Sequence, residues 1–295
     1  MAAVKAGRER DVSARPVSRD PIISAIHDSA ARGFDRAAGE YERGRPEYPS
    51  AAIELLVSEL RLGPGSTVID LAAGTGKLTR GLIPTGAHVI AVEPVAGMRA
   101  QLVRAVPAAK VLSGTAEAIP LADGSADAVL VAQAFHWFDT PVAAREIHRV
   151  LHPGGRLAVI WNIWDDSVEW VARMQELVGA YRGDTPQRGT SEWREQLAAT
   201  ELFTPLTDRT LAHVVAGSLD VLLARTASVS FIATLPEAKR ANVLEDVRAV
   251  VAEDPEAWVE DQLAMPYITN VAWCHARASA IASQPRPDLS APRPG

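Results

Sequence analysis

The stretch Thr67–Gly76, TVIDLAAGTG, most constrains what this chain can fold into. Thr67 to Leu71 is a short apolar, partly β-branched run, the pattern of a buried strand. It ends in Ala72-Ala73-Gly74-Thr75-Gly76 and passes into Lys77–Leu82, which reads as a helix. Small residues at such a turn let the backbone press against a ligand, and the first N–H groups of the helix then face that ligand. Seventeen residues after Gly76, a second apolar run, His88–Val92, stops at Glu93. An acid at that strand end can accept both hydroxyls of a ribose. The N-terminal half therefore reads as a holder for a nucleoside.

Two details decide which nucleoside. A dinucleotide fingerprint places a third glycine where this chain has Thr79, and Asp70 stands just before the bend. A carboxylate there repels a pyrophosphate but suits a ligand carrying an ammonium and a sulfonium. A nicotinamide-dependent oxidoreductase is the rival enzyme reading, and both details speak against it.

The rest of the chain continues the alternation. Ala96–Val106 reads as a helix, Lys110–Leu112 and Ala126–Ala132 as strands, and Thr140 and Pro141 open a helix whose inner face is Ala143, Ile147, Val150 and Leu151. Pro153-Gly154-Gly155 ends it, and Arg156–Trp161 is a fifth strand. Upstream, Phe34, Ala37, Ala38 and Tyr41 fall at helical spacing, and Ser50 is placed to cap a helix carrying Ile53, Leu56, Val57 and Leu60 on one face. Strands alternating with helices over about a hundred residues call for an α/β, doubly wound, mostly parallel sheet. After strand five the pattern turns helical over about 165–205 and 218–255, including Pro236–Ala252 with four valines inward; these helices are candidates for a cap over the strand ends. Thr210–Val215 and Met265–Trp273 read as the last two strands. The expected organisation is a flexible arm over 1–22, a nucleoside-binding core over 23–164, cap helices plus a sixth strand over 165–260, the last strand of the core within 261–283, and a proline-rich disordered tail over 284–295.

The formal charge of −6 gives no support for nucleic-acid binding, and no apolar run approaches a membrane span or a signal-peptide core. The single cysteine, Cys274, excludes an internal disulfide and fits a reducing compartment, so a cytoplasmic protein is expected.

With FDRAAGEYERGRPEYP, VIDLAAGTGKLT, AVEP, GTAEAIPLADGSADAV, AQAFHWF and RVLHPGGRLAVIWN in that order, the chain resembles the class I S-adenosylmethionine-dependent methyltransferases. Within them it is similar to the methyltransferase type 11 group, near the trans-aconitate methyltransferase-like enzymes. The resemblance implies a Rossmann-like sheet of seven strands, the last antiparallel, with a helical cap inserted after strand five and between the last two strands. It also implies S-adenosyl-L-methionine as cofactor. Ala72, Gly74 and Gly76 would then pass under the methionine part, Asp70 would lie near its amino group, and Glu93 with Pro94 would hold the ribose. Ala116 and Glu117, with Thr115, would border the adenine, Met98 would also contact the cofactor, Gln133 would line the sulfonium side, and Tyr41 and Arg45 would close over the cofactor.

Methyl transfer from a sulfonium is an in-line displacement by an already activated donor, so the protein must mainly hold the acceptor close and dry. His136, after the fourth strand, is the candidate general base; a plainer role for His136 and Trp137 is as pocket wall. Asn162 is placed to orient an acceptor, with Trp161 and Trp164 as an apolar wall. Asp165 and Asp166 lack the further His or Glu a metal pair needs, so no metal site is expected. The implied activity is methylation of a small, partly apolar molecule, with no nucleic acid and no membrane as partner. A non-catalytic protein that binds the same cofactor as a sensor is the rival from another class.

Overall fold

The computed structural model describes residues 42, 44–183 and 192–278. The N-terminal arm, Tyr41 with the helix read upstream of it, and the proline-rich tail lie outside the described residues.

Helix α1 (Ser50–Leu60) leads into β1 (Thr67–Leu71), α2 (Lys77–Leu82), β2 (His88–Val92), α3 (Ala96–Ala105), β3 (Lys110–Leu112) and β4 (Ala126–Ala132). Helix α4 (Thr140–Val150) and β5 (Leu151–Trp164) follow, then α5 (Glu169–Gly179), α6 (Glu192–Ala199) and β6 (Thr207–Gly217). The chain continues through α7 (Leu219–Ala227), α8 (Ser230–Ala233), α9 (Glu237–Ala252), a two-residue β7 (Trp258–Val259) and β8 (Gln262–His275). The sheet runs β3-β2-β1-β4-β5-β8-β6, with β7 paired to β8 off this path. Strands β1 to β5 are mutually parallel, and β8 is antiparallel to both of its neighbours, β5 and β6. This is the expected doubly wound sheet of seven strands, with β7 as a short addition.

Strand order reverses between β1 and β4, the switch point where ligands sit in such sheets. Three buried clusters hold the layers. Ile69, Leu71, Val129 and Val131 pack with Ala143 and Ile147 of α4 on one face, while Val68, Leu78, Leu130 and Ile160 pack with Leu56 and Leu60 of α1 on the other. The third cluster joins α5 and α7 to α9 onto Trp164, Met265 and Tyr267. The helical region after β5 therefore divides: Trp193 of α6 packs into the first cluster, and α5 goes with the later helices. In α9 the valines 243, 247, 250 and 251 are buried as read, each contributing about 1.5–3 kcal/mol.

Local chemistry differs from expectation at four places. The cap of α4 is Asp139, whose side chain accepts the Val142 N–H at 3.3 Å; Thr140 is already helical. Helix α1 has Pro49, not Ser50, at its cap position, with no side-chain bond. The Pro153-Gly154-Gly155 segment is absorbed into β5, where the register on β4 shifts between Ala126 and Ala128 and Gly154 takes φ +77°. Strand β8 is longer than Met265–Trp273, because Leu263, Met265, Tyr267, Thr269 and Val271 alternate inward.

Gly76 sits at φ +90°, and a Cβ there would fall 2.9 Å from Leu102 Cγ of α3. At Gly74, φ is +59° but the nearest atom to a Cβ is Met98 Sδ at 3.8 Å. We expect Gly76→Ala to cost about 2 kcal/mol, and to lower the melting temperature by about 4–6 °C. Gly74→Ala in the ligand-free protein should cost about 1 kcal/mol, so thermal unfolding of the pair reads the difference.

Candidate active site

The bend after β1 is built from left-handed backbone: Ala72 at φ +56°, Gly74 at +59° and Gly76 at +90°. Ala72, like Gln133 at φ +59° at the end of β4, is a non-glycine residue held in a conformation that costs free energy. The two flank the switch point and line one pocket. Glu93, at the end of β2, holds this bend in place: Oε2 accepts the Gly74 N–H at 2.9 Å and Oε1 accepts the Val95 N–H at 2.8 Å. Arg99 fixes the same corner by donating to the carbonyls of Glu93 and Pro94 at 2.8 and 2.6 Å.

Beneath the bend, Asp70 is fully buried, and Oδ2 accepts the Thr79 hydroxyl proton at 2.6 Å. Burial, reinforced by the charge of Glu93 and opposed by the Thr79 hydrogen bond, pushes the Asp70 carboxyl up to about 7. Burial also raises Glu93, against the Val95 and Gly74 amides and Arg99. The residue at position 79, read only as a missing glycine, is thus the partner of Asp70.

At the bend and the end of β4, two buried acceptors, Asp70 Oδ1 and Gln133 Oε1, have no donor among the described residues. Gln133 spends its Nε2 on the Asn162 carbonyl at 3.0 Å. The pocket between the bend and Gln133 is narrow, about 30 Å³ open to water centres, room for about two waters. Arg45, Pro46 and Tyr48, in the strap ahead of α1, close it from one side, and Lys77 lines it as well. Lys77 and Arg80 of α2 tether this strap to Glu42 and Glu47 at 2.7–3.7 Å. Thr75 donates to Glu42 at 2.5 Å, and although burial opposes ionisation, Thr75, Arg80 and Lys77 hold the Glu42 carboxyl below its ordinary value. Gln133 Oε1 in the lining, Asp70 beneath the bend, and the cations Arg45 and Lys77 around the same pocket suit a zwitterionic chain carrying an ammonium and a carboxylate.

On the other flank, Met98 is buried beside Gly74, and Ala116 is buried in the core. Thr115 bridges to Ala118, and Glu117 Oε1 accepts the Asp139 N–H at 3.2 Å while Oε2 is buried without a donor among the described residues. Tyr41 lies outside the described residues.

Beyond the pocket, His136 sits on a 3-10 turn over Phe135–Trp137, half-buried, with its ring 4.9 Å from that of Trp137. Asn162 is buried, and its amide is engaged at both ends: Oδ1 accepts from Thr269 at 2.6 Å and Nδ2 donates to the Glu47 carbonyl at 3.1 Å. It clamps the strap to the sheet. Trp161 and Trp164 do not share a wall. Trp161 packs on Trp193 in the first cluster, whereas Trp164 stacks on Tyr267 at 4.3 Å in the helical layer. Asp165 accepts from the Ser167 amide and hydroxyl, forming a turn before α5. Burial pushes the Cys274 thiol up to about 12, the condition of a core residue rather than a nucleophile. Among the described residues no three His, Cys, Asp or Glu side chains gather as a metal site, and no helix is long and apolar enough to cross a membrane. Sequence reading missed Lys77, Thr75 and Tyr48; the position of Lys77, first in the helix after the glycine bend, was the available signal.

Comparison with known proteins places these features in context. A family model described as a methyltransferase domain matches residues 69–159. The chain is 40% identical over 242 residues to an uncharacterised methyltransferase of Mycobacterium tuberculosis, covering 80% of this chain and 92% of that protein. Among solved structures, a putative type II methyltransferase from Anaeromyxobacter dehalogenans aligns with TM-score 0.58 at 24% identity, over 79% of this chain and 97% of that one. A Haemonchus contortus N-methyltransferase in complex with S-adenosylhomocysteine shares the fold at TM-score 0.53 and 14% identity, over 86% of this chain and 60% of that one.

The Asp70 carboxyl is raised above its ordinary value, so the folded state holds a proton that the unfolded chain releases. Its contribution to stability is therefore full below about pH 4 and is lost as pH rises through about 7. In the ligand-free protein, the melting temperature of Asp70→Asn minus that of wild type should rise by about 5 °C between pH 4.5 and 8. A flat difference would mean the carboxyl titrates normally.

Proposed function

From the premise that this chain belongs to the class I S-adenosylmethionine-dependent methyltransferase family, we propose that it binds S-adenosyl-L-methionine at the β1–β4 switch point and methylates a small, partly apolar acceptor. The observation that carries this reading is the pair of buried carboxylates bracketing the left-handed bend: Asp70 beneath it and Glu93 gripping its amide. The residues present fit the cofactor. Asp70 Oδ1 and Gln133 Oε1 have no donor among the described residues and suit the α-ammonium. Arg45 and Lys77, around the same pocket, suit the carboxylate. Glu93 uses one amide on each oxygen, which leaves a lone pair on each for a ribose hydroxyl. Gly74, open above its Cα apart from Met98, leaves room for close backbone approach, whereas Gly76 is committed to packing on α3. A pyrophosphate on the bend would meet the buried Asp70 beneath it, so a nicotinamide dinucleotide does not fit.

Bound there, S-adenosyl-L-methionine supplies a sulfonium-activated methyl group for in-line displacement by the acceptor. The chain's own part is to hold, orient and exclude water. Asn162 anchors the strap through the Glu47 carbonyl, and the strap closes the pocket from one side. Admitting the methionine part requires the strap to yield, and its partly exposed ion pairs cost little to part. His136 and Trp137 stand beside the end of β4, where His136 serves as general base for an acceptor that must lose a proton. The helical layer of α5 and α7–α9 forms the cap over the acceptor.

Titration calorimetry of the full chain should show micromolar binding of S-adenosylhomocysteine and none of NAD. Asp70→Asn and Glu93→Gln should each weaken binding by about tenfold or more. Because the incoming ammonium favours the charged carboxylate, binding near pH 6 should release a proton in wild type and none in Asp70→Asn. Equal affinity for NAD, or indifference to both substitutions, would contradict the reading. With an acceptor in hand, His136→Gln should lower turnover by about 10²-fold or more with cofactor affinity intact. Unchanged turnover would return His136 to the pocket wall.

A further inference from the structure

Arg225 lies in the last turn of α7, where a cation ordinarily faces water and offsets the helix dipole. Here the residue is 2% exposed, and its Nε and Nη1 are buried with no acceptor among the described residues. None of the ion pairs among the described residues includes it. Its surroundings are aromatic: the guanidinium carbon is 5.8 Å from the centre of Trp164, and the group lies beside the Tyr267 hydroxyl. Tyr267 is sandwiched between Trp164 and His213, and His213 Nε2 is likewise buried without a partner among the described residues. Arg45 of the strap, 8% exposed, brings a second guanidinium near enough to act on the same hydroxyl. The strap is pressed onto α7 at this point, since a Cβ on Gly44 would fall 2.3 Å from the Arg225 amide nitrogen.

A cation this deep, with no counter-ion among the described residues and met only by the Trp164 ring and the Tyr267 hydroxyl, is costly to bury; a hydrophobic residue of similar volume would serve stability better. We propose that Arg225 is the receptor for an anionic oxygen group, a carboxylate or a phosphate, carried by the methyl acceptor. The planar fork of a guanidinium matches either group with two parallel hydrogen bonds. The identity of the ligand as acceptor rests on the methyltransferase reading above. Arg45 lines the pocket under the strap and Arg225 does not. The two cations, both close to the Tyr267 hydroxyl, divide their work: Arg45 serves the pocket it lines, and Arg225 lies outside that pocket, among Trp164 and Tyr267. The cap helix that carries Arg225 thus sets specificity by charge.

The test uses the full chain with benzoate, phenyl phosphate and uncharged benzamide as probes, titrated with and without S-adenosylhomocysteine. At least one anion should bind about tenfold tighter than benzamide, and Arg225→Met should abolish that preference while S-adenosylhomocysteine affinity stays within about twofold. Removing this buried charge should also raise the melting temperature of Arg225→Met by about 3 °C. Arg225→Lys, which keeps the charge but not the fork, should fold as wild type and retain part of the preference. The proposal is overturned if neither anion outbinds benzamide, if Arg225→Met keeps the preference, or if it melts lower than wild type. Loss of S-adenosylhomocysteine affinity in Arg225→Met also overturns it, since the cation would then serve the cofactor. A wild-type chain that ignores S-adenosylhomocysteine yet prefers the anions through Arg225 sinks the cofactor reading and upholds the anion receptor.

Discussion

A carboxylate at the end of β2 holds the backbone that leaves β1, and the rest of the site is arranged around that tie. Glu93 is buried, so its charge must be met by backbone N–H groups, and the Gly74 and Val95 amides meet it. Accepting the Gly74 amide fixes the bend in its left-handed path, which no β-branched residue would follow at low cost. The bend in turn seals Asp70 beneath it, bonded to Thr79 and raised toward neutrality by burial. Two acids so close are tolerable only when one keeps its proton or a cation arrives. The ligand-free site thereby keeps a proton that an arriving ammonium displaces.

The same logic of unmet charge extends outward. The strap is held by Lys77 and Arg80 from below and by Asn162 from the sheet, and it carries Arg45 over the pocket. From the strap, contact passes through Gly44 to α7, which buries Arg225 against the Trp164–Tyr267 stack. Cofactor pocket, strap and helical layer are thus contiguous, and Asp70, Gln133 and Arg225 along this path carry buried polar atoms without a partner among the described residues. Stability is spent at these points and recovered in the three apolar clusters.

Much of this was legible in the sequence because it is local. Asp70, Gly74 and Glu93 lie on consecutive elements of one βαβ unit, and the parallel sheet follows from strict alternation of runs and breakers. What was not legible depends on distant partners. Asn162 reads as an acceptor-orienting amide until its bonds to Thr269, 107 residues away, and Glu47, 115 residues away, are seen. Trp161 and Trp164 are three residues apart, so in a strand they face opposite sides, a consequence missed because β5 was ended at Trp161. Arg225, alone in a short amphipathic helix, has the sequence signature of a surface cation. The strap at Gly44, Trp164 of β5 and Tyr267 of β8 bury it.

The most direct measurement is a crystal structure of the full chain grown with S-adenosylhomocysteine. The account predicts the ribose hydroxyls on the Glu93 carboxylate, the amino group within hydrogen-bond reach of Asp70 or Gln133, and the carboxylate at Arg45 or Lys77. Density for the nucleoside elsewhere, or a ribose that leaves Glu93 bonded to the Gly74 and Val95 amides alone, would contradict it.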